Sequence, residues 1–127
     1  MAETVERFLC ESAQEIASSL GLDSIDTITV LIAGGAEDYR RLHGGSLPRW
    51  SAAYSDGRSQ VLGLDARSVV RMSRPMRTVM RHELSHLLFS QRVGRVYCPA
   101  WFMEGLAMWQ SQEWSFLDEW RLAGELM

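Results

Sequence analysis

The sequence predicts a single α+β domain, a small mixed β-sheet packed on a helical half. Three observations point there. Apolar residues recur at helical spacing in several stretches, alternate at strand spacing near Ile28, and flank an Asp-Gly pair that suits the tight turn of a hairpin. The order helix, strand, short helix, hairpin, then helices fits an α+β arrangement. A chain of 127 residues, 46% of them apolar, suffices for one domain over residues 1–127 with its own core.

The first helix rests on Val5, Phe8, Leu9, Ala13, Ile16, Ala17 and Leu20, which share one face before Gly21 supplies a stop. Ile28, Val30 and Ile32 then alternate with Thr27, Thr29 and Leu31 in a strand ended by Gly34 and Gly35. Residues 36–42 fit a short helix, and residues 43–48 a loop. Strands over residues 50–54 and 59–64 flank a turn at residues 55–58, where Asp56-Gly57 is expected to accept positive φ. Pro75 suits the first turn of a helix whose apolar stripe, Met76, Met80, Leu84, Leu87 and Leu88, runs to about Gln91. Pro99 opens a further apolar stretch through Trp109, with Trp101 expected in the core, and residues 115–127 form a last helix.

Charge narrows the partners. The formal net charge is −3, which excludes a uniformly basic nucleic-acid binder. Residues 1–39 hold one Arg and eight acids, residues 40–95 eleven Arg and three acids, and residues 96–127 one Arg and five acids. Within the basic middle, Arg71, Arg74, Arg77 and Arg81 are expected to form a solvated face. The longest uncharged stretch, residues 27–36, is ten residues long, whereas a bilayer crossing needs about 20 apolar ones, so no membrane span is expected. The N-terminus carries no secretion signal, which makes the cytoplasm the default compartment unless the chain is cut from a larger secreted or membrane-anchored protein. Cys10 and Cys98 are expected as reduced thiols, Cys98 as a buried small side chain.

Within the Pro75 helix stands His82-Glu83-Leu84-Ser85-His86, which takes two of the three His in the chain. Histidines four residues apart lie about 40° apart around a helix, so both imidazoles can reach one Zn2+ ion. Glu83 projects to the same side without overlying either His, as a carboxylate that deprotonates an activated water must. Phe89 and Arg92 occupy the places of the Gly and His that a metzincin would require, which excludes that class. No His follows His86, and Glu104 is the only acid between residues 84 and 112. Gly105 beside it is expected to permit close approach to the histidine helix. Asp118, Glu119 and Cys98 are the other candidates for a third ligand.

The His-Glu-x-x-His run, followed by Pro99-Ala100-Trp101-Phe102-Met103-Glu104-Gly105-Leu106-Ala107, resembles the gluzincin zinc peptidases, in particular the short peptidase MA-like domains related to thermolysin. The resemblance implies a zincin-like fold, with His82, His86 and Glu104 as zinc ligands and Glu83 as the catalytic base. It also implies an antiparallel edge strand from the hairpin that holds an extended peptide or protein substrate beside the metal. Two positions depart from the family pattern. Met108 stands where relatives place an Asp that orients a metal histidine, and no Tyr or His follows Glu104 to stabilise an oxyanion. Tyr97, Tyr54 or His43 would have to act instead, unless the chain ends before the complete site, as the greater length of family domains implies. The sequence therefore points to zinc-dependent peptide hydrolysis. Its alternatives are a catalytically weak or inactive zinc-binding pseudo-protease or interaction module, and a cytosolic regulatory His-Glu-x-x-His protease of the kind that cleaves repressors.

Overall fold

In the computed structural model, which describes residues 2–45, 47, 51–70, 72–94 and 96–111, the first helix, α1, spans Ala2–Leu20 and buries Val5, Leu9, Ser12, Ile16 and Ala17. It closes on Gly21 at φ +72°, with the Gly21 N–H on the Ser18 carbonyl at 3.2 Å and the Leu22 N–H on that of Ala17 at 2.9 Å. This pair of bonds satisfies the last carbonyls, and the left-handed residue between them favours glycine.

Three strands form one mixed sheet in the order β1-β3-β2. β1 (Thr29–Ala33) runs parallel to β3 (Val61–Asp65), and β2 (Ala53–Asp56) pairs antiparallel with β3 from the other side. The register pairs Ile32 with Leu64 and Leu64 with Ala53, so Val30, Ile32, Leu62, Leu64, Ala53 and Ser55 share one face. Against that face lie α1 and the long helix α4 (Arg74–Val93). Helix α2 (Ala36–His43) covers the other face, where the Tyr54 ring lies across Gly63 so closely that a Cβ at Gly63 would collide with it. A one-turn helix, α3 (Ala66–Val69), begins at Asp65, whose carboxylate accepts the Arg67 N–H at 3.0 Å and its guanidinium at 2.7 Å.

The core is built from α4. Met76, Met80, Leu84, Leu87 and Leu88 are all buried, and meet Val5, Ile16, Leu62, Leu64 and Val69. Each such side chain taken fully from water contributes roughly 1.5–3 kcal/mol. Ser73 caps the helix, its hydroxyl accepting the Met76 N–H at 3.3 Å. Helix α5 (Ala100–Gln110) is fastened to α4 and α1 through its last residue. Gln110 accepts from the Ser85 hydroxyl, donates to Ser19 Oγ at 2.9 Å, and offers its carbonyl to Arg81 at 3.0 Å.

Several expectations are corrected. The hairpin turn lies at residues 57–60, two residues later than expected, and the left-handed residue in it is Gln60 at φ 54°, not Gly57. Gly57 is needed for proximity instead, since a Cβ there would meet Ser90 Oγ at 3.1 Å. Arg81 is not solvated: its side chain is 15% exposed and binds Glu15 at 2.9 Å as well as Gln110. Trp101, expected in the core, is 76% exposed. Cys98 is half-buried, not buried. Helix α3 was not anticipated, because nothing in its four residues carries a helical period. Trp50, Arg71 and the helix expected over residues 115–127 lie outside the described residues.

Two stability measurements test this packing. Gln110→Ala strands the Ser85 hydroxyl in the interior, and the unfolding free energy in urea is expected to fall by about 1–3 kcal/mol; an unchanged midpoint would remove the network from the account. The hydrogen bond from Arg67, with its charge, holds the buried Asp65 carboxyl below the usual carboxylate range against the opposing effect of burial. A depressed native pKa contributes stability that is present above the unfolded value of about 3.9 and is lost as pH falls through the native one. Melting temperatures from pH 5 downward should therefore decline less steeply in Asp65→Asn than in the parent chain.

Candidate metal centre

Helix α4 positions the histidines by its period, and α5 delivers the carboxylate. With the apolar stripe of α4 turned to the core, His82 and His86 stand on the opposite side, their ring centroids 4.9 Å apart. Glu104 arrives on the second turn of α5, whose start is set by Pro99. The Glu104 Oε1 atom lies 2.9 Å from His86 Nε2, its Oε2 lies 3.2 Å from His82 Nε2, and the two ring nitrogens are 3.2 Å apart.

Three ligand atoms thus fall within 4.8 Å of one another, and the group can hold a metal ion. The arrangement can accommodate a positive charge. Two ring nitrogens that face each other present opposed lone pairs unless a proton or a cation stands between them, and the carboxylate adds negative charge. The His side chains are each 17% exposed and that of Glu104 is 57% exposed, so the group is walled on the α4 side and open beside α5.

Glu83 lies next to this group but turns toward the sheet. Its Oε2 accepts the Ser55 hydroxyl at 2.5 Å, a bond from β2 to α4 across 28 residues of sequence. The neighbouring contacts hold this alignment in place. Gln60 Nε2 donates to Ser90 Oγ at 2.8 Å, Gln91 Nε2 donates to Gln60 Oε1 at 2.8 Å, and Gln91 also accepts the Asp26 N–H at 2.9 Å. The hairpin and the approach to β1 are therefore both tied to the C-terminal half of α4.

The structure brings together His82, His86 and Glu104, with Glu83 beside them. Cys98 is not part of the group, and Asp118 and Glu119 lie outside the described residues. Gly105 does not serve a close approach, since a Cβ there would face open space. Met108 is half-buried and brings no oxygen or nitrogen to orient a histidine. Of the residues considered for an oxyanion, Tyr97 is 86% exposed in the segment between α4 and α5. Tyr54 gives its hydroxyl to the Leu42 carbonyl at 3.3 Å, and His43 packs edge-on against Tyr39. Ser55 and the Ser85–Gln110 pair are the contributors that the sequence did not disclose; lone Ser and Gln residues carry no motif until the fold pairs them.

Comparison with protein-family models, with curated proteins and with solved structures gives no match. The residues alone carry the functional argument. Glu104→Ala is expected to lower affinity for Zn2+, read by titration calorimetry, by more than the roughly 10- to 100-fold typical of losing a partner outside the ligand set. An unchanged affinity would place the third ligand elsewhere.

Proposed function

We propose that the chain is a zinc-dependent peptidase of gluzincin type, in which His82, His86 and Glu104 hold Zn2+ and Glu83 is the general base. The observation that carries this reading is the close approach of two imidazole nitrogens and one carboxylate, with a second carboxylate on the adjoining helix position. Bonds of 2.0–2.1 Å in a tetrahedron imply ligand atoms about 3.3 Å apart. The separations of 2.9, 3.2 and 3.2 Å lie close to that spacing, and two His with one Glu is a donor set used by catalytic zinc. Three protein ligands leave a fourth position for water or substrate.

A bound zinc ion supplies Lewis acidity, lowering the pKa of a water toward about 7 and polarising a substrate carbonyl. Glu83 takes the proton from the attacking water and returns it to the leaving amine, so one carboxylate serves as base and then acid. The substrate is an extended peptide laid against β2, the antiparallel edge strand of the sheet among the described residues. The pairing of that edge is defined: Asp65 N donates to Ala52 O at 3.1 Å, so the pairs Tyr54–Gly63 and Asp56–Val61 are the hydrogen-bonded ones. Ala53 and Ser55 fall between them, and their N–H and C=O groups point away from β3; the Ala53 carbonyl accepts the Ser51 hydroxyl at 3.2 Å on that side. Addition of a strand to such an edge binds the main chain of a peptide irrespective of its sequence.

A metal-binding module of little turnover is the second reading. It is favoured by the commitment of the Tyr54 hydroxyl to the Leu42 carbonyl, since one missing oxyanion donor costs about 100- to 1000-fold in rate. Glu83→Gln separates the two. A peptidase loses hydrolysis of a fluorogenic peptide by at least about 100-fold while retaining one Zn2+ per chain. A parent chain that binds Zn2+ but hydrolyses no peptide would overturn the enzyme reading.

A further inference from the structure

We infer that Ser55 is a positioning residue for Glu83, linking the docking of a peptide strand on the β2 edge to the orientation of the base; the inference rests on the peptidase reading above. Two independent features of one residue meet here. The Ser55 side chain lies on the sheet face turned to α4 and donates to Glu83 Oε2 at 2.5 Å. Its backbone N–H and C=O lie on the opposite side of the strand from β3, on the edge that a peptide would pair with. A strand that pairs at Ser55 fixes the very residue whose hydroxyl fixes the carboxylate.

No other β2 residue can do this. Ala53 shares the face but has no polar side-chain atom, and Tyr54 and Asp56 are on the other face. Glu83 is only half-buried, and a glutamate side chain of that kind loses substantial rotamer freedom when its carboxylate is held. A donor to an ionised carboxylate makes a short, charge-assisted bond, the strongest available from a neutral side chain. A carboxylate held through Oε2 keeps its second oxygen, Oε1, for the proton that the reaction moves. Tying β2 to α4 through Gln60, Ser90 and Gln91 keeps the donor and acceptor aligned.

The test uses the full 127-residue chain loaded with Zn2+, with Ser55→Ala and Ser55→Thr compared against the parent. In Ser55→Ala, Zn2+ content and KM for a fluorogenic peptide are expected to stay within about two-fold, while kcat falls on the order of 10- to 100-fold, the scale of a misplaced catalytic group. Ser55→Thr keeps a hydroxyl on the strand and should restore most of kcat. Crystal structures of the Zn2+-loaded forms add a readout independent of turnover: the Glu83 carboxylate leaves its place in Ser55→Ala while His82, His86 and Glu104 do not move. The inference is overturned by a kcat unchanged in Ser55→Ala, by equal losses in Ser55→Ala and Ser55→Thr, or by a Glu83 carboxylate unmoved without the hydroxyl. If the Zn2+-loaded parent hydrolyses no peptide, it is the peptidase reading that fails, and the crystallographic comparison still decides whether Ser55 orders Glu83.

Discussion

The angular period of α4 is the constraint on which the rest of the structure depends. At about 100° per residue, Met76, Met80, Leu84, Leu87 and Leu88 form one stripe, and their burial fixes the rotation of the helix against the sheet. Every other side of α4 then has a determined neighbour. His82 and His86 must stand opposite the stripe, on the side that α5 covers with Glu104. Glu83 and Ser90 fall on one flank, where the hairpin meets them through Ser55 and Gln60. Arg81 and Ser85 fall on the other flank and receive Gln110. A one-residue slip would move all of these groups by about 100° and break the three polar arrangements together.

This explains which parts of the fold were legible in the sequence. Elements defined by their own periodicity, α1, β1, α4 and α5, fall close to the expected residues, because burying an apolar face is a local pattern with a global consequence. The hairpin turn was displaced because its position is decided across the molecule. Gly57 must pass close to Ser90, and Gln60 takes a left-handed conformation that costs about 1–2 kcal/mol, offset by its bonds to Gly57, Ser90 and Gln91. Neither requirement is visible at residues 55–60 alone. Arg81 was misassigned for a similar reason. A row of arginines at helical spacing looks like a solvated face, and only the arrival of α5 and α1 turns one member of that row inward.

The site was legible to the extent that its chemistry is local. Two His at i and i+4 with a Glu between them form a pattern that a helix converts directly into geometry. Glu104 was legible by elimination, as the single acid in a long interval, but its approach to α4 does not depend on Gly105. A Cβ at Gly105 would face open space, and the other end of α5 is tied to α4 by the buried Gln110. Trp101 is exposed for the same reason: α5 is docked by its C-terminal turn, and Ala107 and Gln110 are its buried residues.

That mode of docking bears on how firmly the third ligand is held. Gln110 lies six residues beyond Glu104, about 9 Å along the helix, and between its two ends α5 meets α4 through Gln110 at one and the Phe102–Phe89 ring contact near the other. The two histidines sit on a helix whose apolar stripe is buried in the core, and their side chains are each 17% exposed, whereas the carboxylate is more than half exposed. The carboxylate already lies against both imidazoles, so an ion held by all three groups would tie α5 to α4 at a further point.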